Sequence, residues 1–475
     1  MVNKKQYIHY LIALVIGIVL WFALPEGNGL TYLGVRVIAI LIPVLYLWLT
    51  CNTHWTALLA LGLLVCTEAM TATEVWAGSM GHFVVITVMV YMLLNVCLTQ
   101  TGVINKIAMV FITRKICEGR PFVFMGMFFA SNVIIGFFVD NLSLAIIYIG
   151  IAEVICKQMG LKKGDPFYTC IFMGTLWGNC LLSICSPIAH ALPNIIIGLA
   201  ETQLGLTITY AQWLGVGAIY AAIIFVVMMI VVRIWNPDTS AFKNYDVKKT
   251  REEDPPLSKE GKIATVVFII VIAFVVIPQI TSVGPFLGYL NSLGVVVPAI
   301  FGVCALAIIP CKGKPILNVP EAFKQVPWPP IVFAGVVSCF ATPLSAENTG
   351  ISEWLGNILQ PTIGQLPTRA IIIVLIIIAI VLTNFLSNTV TQTIMFNVGI
   401  ILLANSNFSL GAFSIIIAIA SGMATITPSA AVPSPLFFGP GHLTMKQTLK
   451  PNLIFMIITA VICALFGPYL ADFIA

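Results

Sequence analysis

The sequence predicts an all-α polytopic membrane protein with two inverted repeats, about eleven transmembrane helices and two re-entrant hairpins. The first supporting observation is composition: of 475 residues, 59% are hydrophobic and 9% are charged, whereas soluble domains carry about 25% charged residues. Second, apolar runs of about 20 residues recur from end to end, and each is long enough to cross a bilayer. Third, three short motifs recur in the same order in both halves of the chain.

Lysine and arginine predict the orientation of the chain, because cytoplasmic loops collect these residues. Lys4 and Lys5 place the N-terminus in the cytoplasm. The first apolar run is interpreted as a retained helix, since no small-residue cleavage site follows it. On the resulting topology, all of the 23 Lys and Arg residues except Arg36 and Arg369 are cytoplasmic, and the C-terminus is outside. This asymmetry predicts a multi-pass protein of the inner (plasma) membrane, with the lipid bilayer around it.

One long hydrophilic segment, residues 236–262, predicts a cytoplasmic linker between two halves. An N-terminal helix (residues 1–30) precedes the first repeat, residues 31–235, and the second repeat spans residues 263–475. Each half contains an apolar stretch too long for one crossing, which predicts a hairpin that is re-entrant or crosses twice. Prolines interrupt the next apolar stretch, which predicts a broken helix. The hairpins are predicted at 121–159 and 361–406, the broken helices at 166–200 and 409–440, and single crossings before the hairpins at 82–113 and 328–360.

Three motifs occur in both halves at a nearly constant spacing. The charge topology makes the first hairpin open inward and the second open outward, so the halves are predicted to be inverted repeats. Interrupted helices at matching places in two such halves indicate a transporter binding site near the bilayer midplane. The matching pairs are Thr101-Gly102 with Thr349-Gly350, "FVDNLSLAI" (138–146) with "FLSNTVTQT" (385–393), and "CSPIAHALPN" (185–194) with "ITPSAAVPSP" (426–435).

The hairpin tips are the predicted binding elements. Ser387, Asn388 and Thr389 offer hydroxyls, an amide and free backbone groups. Backbone N–H groups at a helix start suit a carboxylate, and carbonyl oxygens suit a small cation. The alternative is that these residues only cap two helices. The other predicted substrate ligands are Asn141, Ser143, Ser186, Pro187, Thr427, Pro428 and Ser434, and the predicted ion ligands are Asp140, Asn141, Asn179, Ser387 and Asn388.

Asp140 places a carboxylate in a predicted membrane segment, where such groups are expensive and usually functional. Its predicted roles are a sodium ligand, a proton carrier or one partner of a salt bridge. The alternatives are a neutral or hydrogen-bonded helix cap, or a residue of an ordinary external turn if both hairpin arms cross fully. Two functional hypotheses therefore stay open. The first is a secondary transporter of small organic anions; the second is a cation/proton antiporter or an inorganic-anion permease that uses Asp140.

Other functional classes lack their signatures in this sequence. The chain has 12 cysteines but no CxxC pair, so neither disulfides nor a zinc site are expected. No HExxH motif occurs, and Asp140 has no intramembrane aspartate partner in the second half, so no enzyme is expected. No helix carries the polar stripe of a channel. The net charge of +5 follows membrane topology, so no nucleic-acid partner is expected.

These motifs resemble those of the divalent anion/sodium symporter family of anion permeases. The likeness lies in "LSNTVTQT" (386–393), in residues 428–452, and in "EAFKQVPWPPIVF" (321–333) followed by "ENTGISEWLG". The resemblance implies di- or tricarboxylate or sulfate substrates, sodium coupling or exchange, no organic cofactor, and homodimers that work by an elevator motion. It also implies that Ser387, Asn388 and Thr389 bind carboxylate and cation, and that Asn141 is the asparagine of the first signature.

The chain departs from that family's pattern at two places. Asp140-Asn141-Leu142 stands where the family has Ser-Asn-Thr, and residues 431–434 read Ala-Val-Pro-Ser where it has Thr-Pro-Pro-Asn. The phrase "VDNLS" resembles instead the arsenite-permease and sodium/proton-antiporter branches of the same superfamily. These departures concern the substrate and the coupling ion and leave the expected fold unchanged.

Overall fold

The structure is a computed structural model that describes residues 4–51, 54–281, 284–359, 361, 363–385, 387–427 and 430–474. Within these ranges the chain forms 23 α-helices and one two-stranded β-ribbon. Seven helical segments of the described chain are long and apolar enough to cross a membrane, or eight if one pair bent by 88° is a single span. Further apolar helices have 10–17 residues. The protein is therefore an all-α polytopic membrane protein, as predicted; the count of eleven crossings stays a prediction.

The first half of the chain begins with a peripheral helix that packs mainly on the helix after it. Its helices are α1 (Lys4–Ala23), α2 (Tyr32–Thr50), α3 (His54–Cys66), α4 (Ala72–Ser79), α5 (Phe83–Gln100), α6 (Val103–Ile112), α7 (Pro121–Gly136), α8 (Asn141–Met159), α9 (Pro166–Leu182), α10 (Ala191–Leu204) and α11 (Tyr210–Trp235).

The rest of the chain contains the linker helix, the β-ribbon and the second set of membrane helices. Its elements are α12 (Val247–Glu253), α13 (Lys259–Ile280), α14 (Pro285–Ser292), α15 (Val296–Ile308), β1 (Pro310–Cys311), β2 (Lys314–Pro315), α16 (Val319–Gln325), α17 (Trp328–Ser345), α18 (Ile351–Leu359), α19 (Thr368–Thr383), α20 (Asn388–Leu403), α21 (Leu410–Ser421), α22 (Ser434–Phe438) and α23 (Met445–Ile474).

Each predicted hairpin region contains two successive helices: α7 with α8, and α19 with α20. Local sequence explains the bounds of the first pair. Pro121 starts α7, where its missing N–H costs nothing. Asp140 caps α8, and Gly160 ends it with a φ of 77°, which glycine adopts readily. Whether the hairpins are re-entrant stays a prediction.

The predicted single crossings at 82–113 and 328–360 each contain two helices rather than one continuous helix, and their crossing of the membrane stays a prediction. Gly102 separates α5 from α6 with a φ of 74°, and Gly350 precedes α18 with a φ of 63°. Residues with a side chain rarely adopt this backbone region. The repeated Thr-Gly motif therefore marks a helix break in both halves.

The linker is folded against the first half. Lys106 of α6 forms an ion pair with Asp254 at 2.5 Å, and Arg251 of α12 pairs with Glu118 at 2.7 Å. The hydroxyl of Ser258 accepts a hydrogen bond from a backbone N–H of α13, which begins at Lys259. The predicted end of the linker at residue 262 thus lies in the first turn of α13.

Tight packing places each hairpin beside the broken helix of its own half. On α9, a Cβ at Gly174 would lie 2.2 Å from the ring of Phe129 on α7. On α20, a Cβ at Gly399 would lie 2.0 Å from the ring of Phe413 on α21. A glycine opposite a phenylalanine lets the helices approach closely in both halves. The halves also interlock, because α10 packs against α17 and α21, and α11 packs against α23.

Candidate functional site

The candidate site is built on two connections between helices, which we name tip 1 (residues 137–140) and tip 2 (residues 384, 385 and 387). Tip 1 joins α7 to α8, and tip 2 joins α19 to α20. The helix that follows each tip begins with an asparagine, Asn141 or Asn388. Both of these side chains are half-buried. The predicted signature residues therefore lie at two helix starts.

Two irregular segments contact the tips, and we name them break 1 (residues 186–190) and break 2 (residues 422–427 and 430–433). Ser186 donates its hydroxyl proton to the carbonyl of Phe137 at 2.5 Å. Thr427 donates its hydroxyl proton to the carbonyl of Asn384 at 2.6 Å. Both acceptors lie four residues before the asparagine that starts the next helix. The structure thus joins the predicted residues Ser186 and Thr427 to the tips by the same contact.

Tip 1 is held by its own aspartate and by a buried asparagine of α5. Asp140 is 8% exposed, and its Oδ1 accepts the N–H groups of Leu142 at 3.1 Å and Ser143 at 3.0 Å. With its amide turned to satisfy both neighbours, Asn95 donates to Phe138 O at 2.9 Å and accepts the N–H of Asp140 at 3.3 Å. Asp140 is thus a hydrogen-bonded helix cap, which is the alternative to the functional roles predicted for it.

The first asparagine of the signature faces a histidine of break 1. The amide Nδ2 of Asn141 lies 3.0 Å from Nε2 of His190. Nδ1 of the same ring accepts the N–H of Leu192 at 3.1 Å. A neutral ring that accepts through Nδ1 carries its proton on Nε2. The N–H on Nε2 is a donor and needs an acceptor. The amide of Asn141 therefore pairs with the ring when its oxygen, rather than its nitrogen, faces Nε2.

A small polar cavity lies beside tip 1. Its volume is about 10 Å³ and its lining includes Tyr91, Asn95, His190 and Asn194. A single water molecule needs about this much space. Asn194 also closes break 1, because its Nδ2 donates to Pro187 O at 2.6 Å and to His190 O at 2.9 Å. The cavity beside tip 1 is therefore large enough for about one water molecule.

Besides the Thr427 contact, the side chain of Asn384 holds tip 2 to break 2. Asn384 is 2% exposed, and its Nδ2 donates to Ile380 O at 2.8 Å and to Met423 O at 2.9 Å. Its Oδ1 accepts the N–H groups of Thr425 at 3.1 Å and Ile426 at 3.0 Å. Ser387, at the start of α20, makes no capping hydrogen bond through its side chain. In contrast to tip 1, the helix start at tip 2 therefore has no cap from its N-terminal side chain within the described part of the chain.

The helix α10 connects the surroundings of the two tips. His190 at its start touches tip 1, and Leu192 O accepts a hydrogen bond from Nε2 of Gln392 on α20 at 3.2 Å. The Oε1 of Gln392 is buried and has no hydrogen-bond partner among the described residues. Buried polar atoms without a partner are rare and call for an explanation such as a bound ligand. The hydroxyls of Thr391, Ser421 and Ser434 are likewise buried without a hydrogen-bond partner among the described residues.

The remaining predicted site residues are Asn179, Ser434, Thr389 and Pro428, and they do not share one position in the fold. Asn179 is fully buried on α9, before break 1, and Ser434 is buried at the start of α22, after break 2. Thr389 is half-buried in the first turn of α20. Pro428 lies outside the described residues. In the part of the chain that is described, no group of three or more His, Cys, Asp or Glu side chains could hold a metal ion.

Sequence reasoning did not select Asn95, Asn384 or Gln392 as site residues. Asn95 is a polar side chain within an apolar helix, Asn384 follows one directly, and Gln392 lies in the polar run that begins α20; these were the available signals. Such signals are ambiguous because a membrane helix also tolerates a polar side chain bonded to its own backbone. Asn397 of α20 is such a case, since its Nδ2 donates to Thr393 O at 2.8 Å.

The polytopic helical fold and the paired helix breaks define a membrane transporter rather than an enzyme. The chain belongs to the citrate transporter family, which matches residues 37–422. It is 24% identical over 476 residues to the sodium-dependent dicarboxylate transporter SdcS of Staphylococcus saprophyticus, covering 94% of this chain and 88% of that protein. It is 27% identical over 147 residues to human Na(+)/dicarboxylate cotransporter 3, covering 30% of this chain and 23% of that protein.

A solved structure with a similar fold is the YdaH transporter of Alcanivorax borkumensis. The TM-score is 0.54 at 14% sequence identity, and the match covers 80% of this chain and 84% of that chain. At this identity the likeness concerns the fold alone. With the relatives above, it confirms the predicted membrane-transporter fold and the predicted resemblance to sodium-coupled anion permeases.

Proposed function

We propose that this protein is a secondary active transporter of small organic anions, di- or tricarboxylates, coupled to sodium or working by exchange. The family and the names of the relatives support this assignment. SdcS of Staphylococcus saprophyticus is a sodium-dependent dicarboxylate transporter, and the human relative is a Na(+)/dicarboxylate cotransporter. No organic cofactor is part of the proposal, and sodium is the proposed coupling ion.

The observation that carries the proposal is the difference between the two helix starts. At tip 1 the carboxylate of Asp140 already accepts the first free N–H groups of α8. At tip 2, among the described residues, the side chain of Ser387 makes no capping hydrogen bond to the N–H groups of α20. Uncapped N–H groups at a helix start attract a carboxylate. We therefore assign a substrate carboxylate to tip 2, with Ser387, Asn388 and Thr389 as its ligands.

The cation is assigned to the surroundings of tip 1. Asp140 supplies negative charge there, and Asn141 and Asn179 are further proposed ligands. The cavity of about 10 Å³ next to Asn95 and His190 suits a small ion or water and is too small for a dicarboxylate. Ser387 and Asn388 form a second proposed ion site at tip 2, where substrate and cation would lie close together.

We further propose that transport follows an elevator-type alternating-access mechanism in a homodimer. In this proposal the hairpins and broken helices move as a unit, and the N-terminus is cytoplasmic with the C-terminus outside. The packing of α10 against α20 and α21 supports such a unit, because it joins the broken helix of one half to the hairpin and broken helix of the other. Cross-linking of engineered cysteine pairs between α10 and α17 in both transport states would test this motion.

Uptake into proteoliposomes tests the proposed function. Labelled succinate and citrate are offered with and without an inward sodium gradient, and with and without internal dicarboxylate. Uptake that needs sodium identifies a symporter, and uptake that needs only internal dicarboxylate identifies an exchanger. The absence of uptake under every condition would contradict the assignment to organic anions.

The burial of Asp140 favours one alternative, a cation/proton antiporter or an inorganic-anion permease. A carboxylate that is 8% exposed in an apolar protein is expensive unless it has a function. Sodium-driven proton movement in the same proteoliposomes, without uptake of any organic anion, would support the antiporter. Organic-anion uptake without such proton movement would exclude it.

A further inference from the structure

The amide of Asn384 uses its whole hydrogen-bonding capacity to join two segments that are about 40 residues apart in sequence. Its two N–H groups donate to Ile380 O and Met423 O, and its oxygen accepts the N–H groups of Thr425 and Ile426. An asparagine side chain has two donors and one oxygen with two lone pairs. Every group of this side chain is therefore engaged, and it has no free atom with which to bind a ligand.

We propose that Asn384 is the positioning residue of the substrate site, and that it makes tip 2 and break 2 one rigid body. This inference rests on the proposed function, because it concerns the placement of the carboxylate-binding helix start at Asn388. Thr427 adds a fifth bond to the same body, since its hydroxyl donates to the backbone carbonyl of Asn384. Asn384 acts through the backbone of residues 423–426 and does not touch the substrate.

The rigid body is anchored to the first half of the chain by a second asparagine. Asn452 of α23 donates to Thr425 O at 2.6 Å, and its Oδ1 accepts the hydroxyl of Thr425 at 3.0 Å. The same Oδ1 accepts the indole N–H of Trp177 at 2.7 Å. Trp177 lies on α9, two residues before Asn179. A buried chain of hydrogen bonds therefore leads from the substrate tip to the helix that carries a proposed ion ligand.

The first half holds its tip in a different way. Phe137 occupies the position that corresponds to Asn384, and its apolar ring cannot make these bonds. Break 1 is instead held from α10 by Asn194, and tip 1 is held from α5 by Asn95. The two tips thus differ in the asparagine that restrains them: Asn95 bonds tip 1 to α5, whereas Asn384 bonds tip 2 to its own break.

Two substitutions of Asn384 separate the inference from a general effect on folding. Asn384→Leu removes all four side-chain bonds, and Asn384→Asp keeps the acceptor oxygen for Thr425 and Ile426 but loses both donated bonds. Asn397→Leu and Asn397→Asp are matched controls, because Asn397 bonds only within its own helix. All four variants and the wild-type protein are purified in detergent and reconstituted.

Hydrogen exchange gives a readout that does not depend on transport. We expect the peptide covering residues 423–427 to exchange about tenfold faster in Asn384→Leu, because two backbone N–H groups lose their acceptor. Asn384→Asp should keep most of the protection, and the Asn397 variants should match the wild-type protein. Unchanged exchange in Asn384→Leu would overturn the inference whether or not the protein transports dicarboxylates.

Uptake kinetics then test the link to the substrate. We expect Asn384→Leu to raise the KM for the dicarboxylate about tenfold or more with a smaller change in kcat, and Asn384→Asp to lie between Asn384→Leu and the wild-type protein. Faster exchange at 423–427 with an unchanged KM would overturn the positioning role. If the wild-type protein takes up no dicarboxylate, the proposed function fails, and the exchange measurement still decides whether tip 2 and break 2 form one body.

Discussion

Ser186 donates its hydroxyl proton to the backbone carbonyl of Phe137 at 2.5 Å. The second half of the chain repeats this contact, where Thr427 donates to the carbonyl of Asn384 at 2.6 Å. In both halves the acceptor lies four residues before the asparagine that starts the next helix. The correspondence predicted from short motifs therefore extends to a tertiary contact between a tip and a break. Their opposite orientation in the membrane stays a prediction.

The hydroxyl of Ser186 also accepts the N–H of Ile188 at 3.2 Å, so it serves two backbone groups. Ser186→Ala leaves the buried carbonyl of Phe137 without this donor, which costs about 1–3 kcal/mol. We expect a lower thermal unfolding midpoint in detergent. Ser345→Ala is the control, because that hydroxyl donates to a carbonyl of its own helix. Equal midpoints for the two variants would show that the tip contact contributes no stability.

Asn388 lies at the start of α20, where its Oδ1 is 2.9 Å from the hydroxyl of Thr383. Asn388→Ala removes the amide from the proposed carboxylate site, so we expect uptake of succinate to fall to background while the protein still folds. Asn397→Ala removes an asparagine from the same helix outside the tip and should transport normally. Normal uptake by Asn388→Ala would remove tip 2 from the substrate site.

Asp140→Asn separates the charge of this residue from its capping role, because asparagine caps helix starts about as well as aspartate. We expect the variant to fold and to retain organic-anion uptake, with an altered dependence on sodium concentration. The measurement is the initial uptake rate across a range of sodium concentrations at fixed succinate. An identical sodium dependence in the variant would show that the carboxylate of Asp140 takes no part in ion coupling.

His442 lies in the loop before α23, where its ring stacks on Phe172 with a centroid distance of 4.6 Å. Its Nδ1 lies 2.7 Å from the hydroxyl of Tyr168, and its side chain is 4% exposed. Burial lowers the pKa of His442 below the ordinary histidine value, and the charge of Lys163 lowers it further, while Glu153 opposes them.

A lowered pKa makes the unfolded state bind a proton before the folded state as the pH falls. This stability contribution is therefore complete above the unfolded pKa of about 6.5 and is lost progressively as the pH falls below it. We expect the unfolding midpoint in detergent to fall between neutral pH and the mildly acidic range, and His442→Gln to reduce that dependence. His9→Gln is the control, since His9 is on α1 and pairs with Tyr46. Equal pH dependence in wild-type protein and His442→Gln would contradict the expectation.

The ion pair of Lys106 with Asp254 attaches the linker to α6, and its side chains are 25% and 12% exposed. Lys106 also donates to Pro255 O at 2.7 Å. We expect Lys106→Gln to release the linker and to speed its cleavage by a protease in detergent several-fold, which gel electrophoresis would show. Lys248→Gln is the control, because Lys248 forms an exposed pair at 3.9 Å that contributes little. Equal cleavage rates would show that the ion pair does not restrain the linker.

The two regions of paired helices could be predicted from the sequence because the patterns that indicate them are short and local. Residues 121–159 were predicted as a hairpin, and α7 and α8 begin and end at these residues. A proline that starts a helix, a long apolar run and a polar turn act over a few residues and need no knowledge of the fold. The Thr-Gly motif was recognised as a repeat, but its role as a helix break depends on a positive φ that the sequence does not reveal.

The sequence by itself determined the class of the protein, the two regions of paired helices and the asparagines that start α8 and α20. These features follow from hydrophobic runs, basic loops and helix-start chemistry, which act locally along the chain. Only the tertiary structure decided which side chains hold the tips. Asn95 and Asn384 have partners about 40 residues away. A buried amide must find its donors and acceptors wherever packing places them, and packing depends on the whole fold.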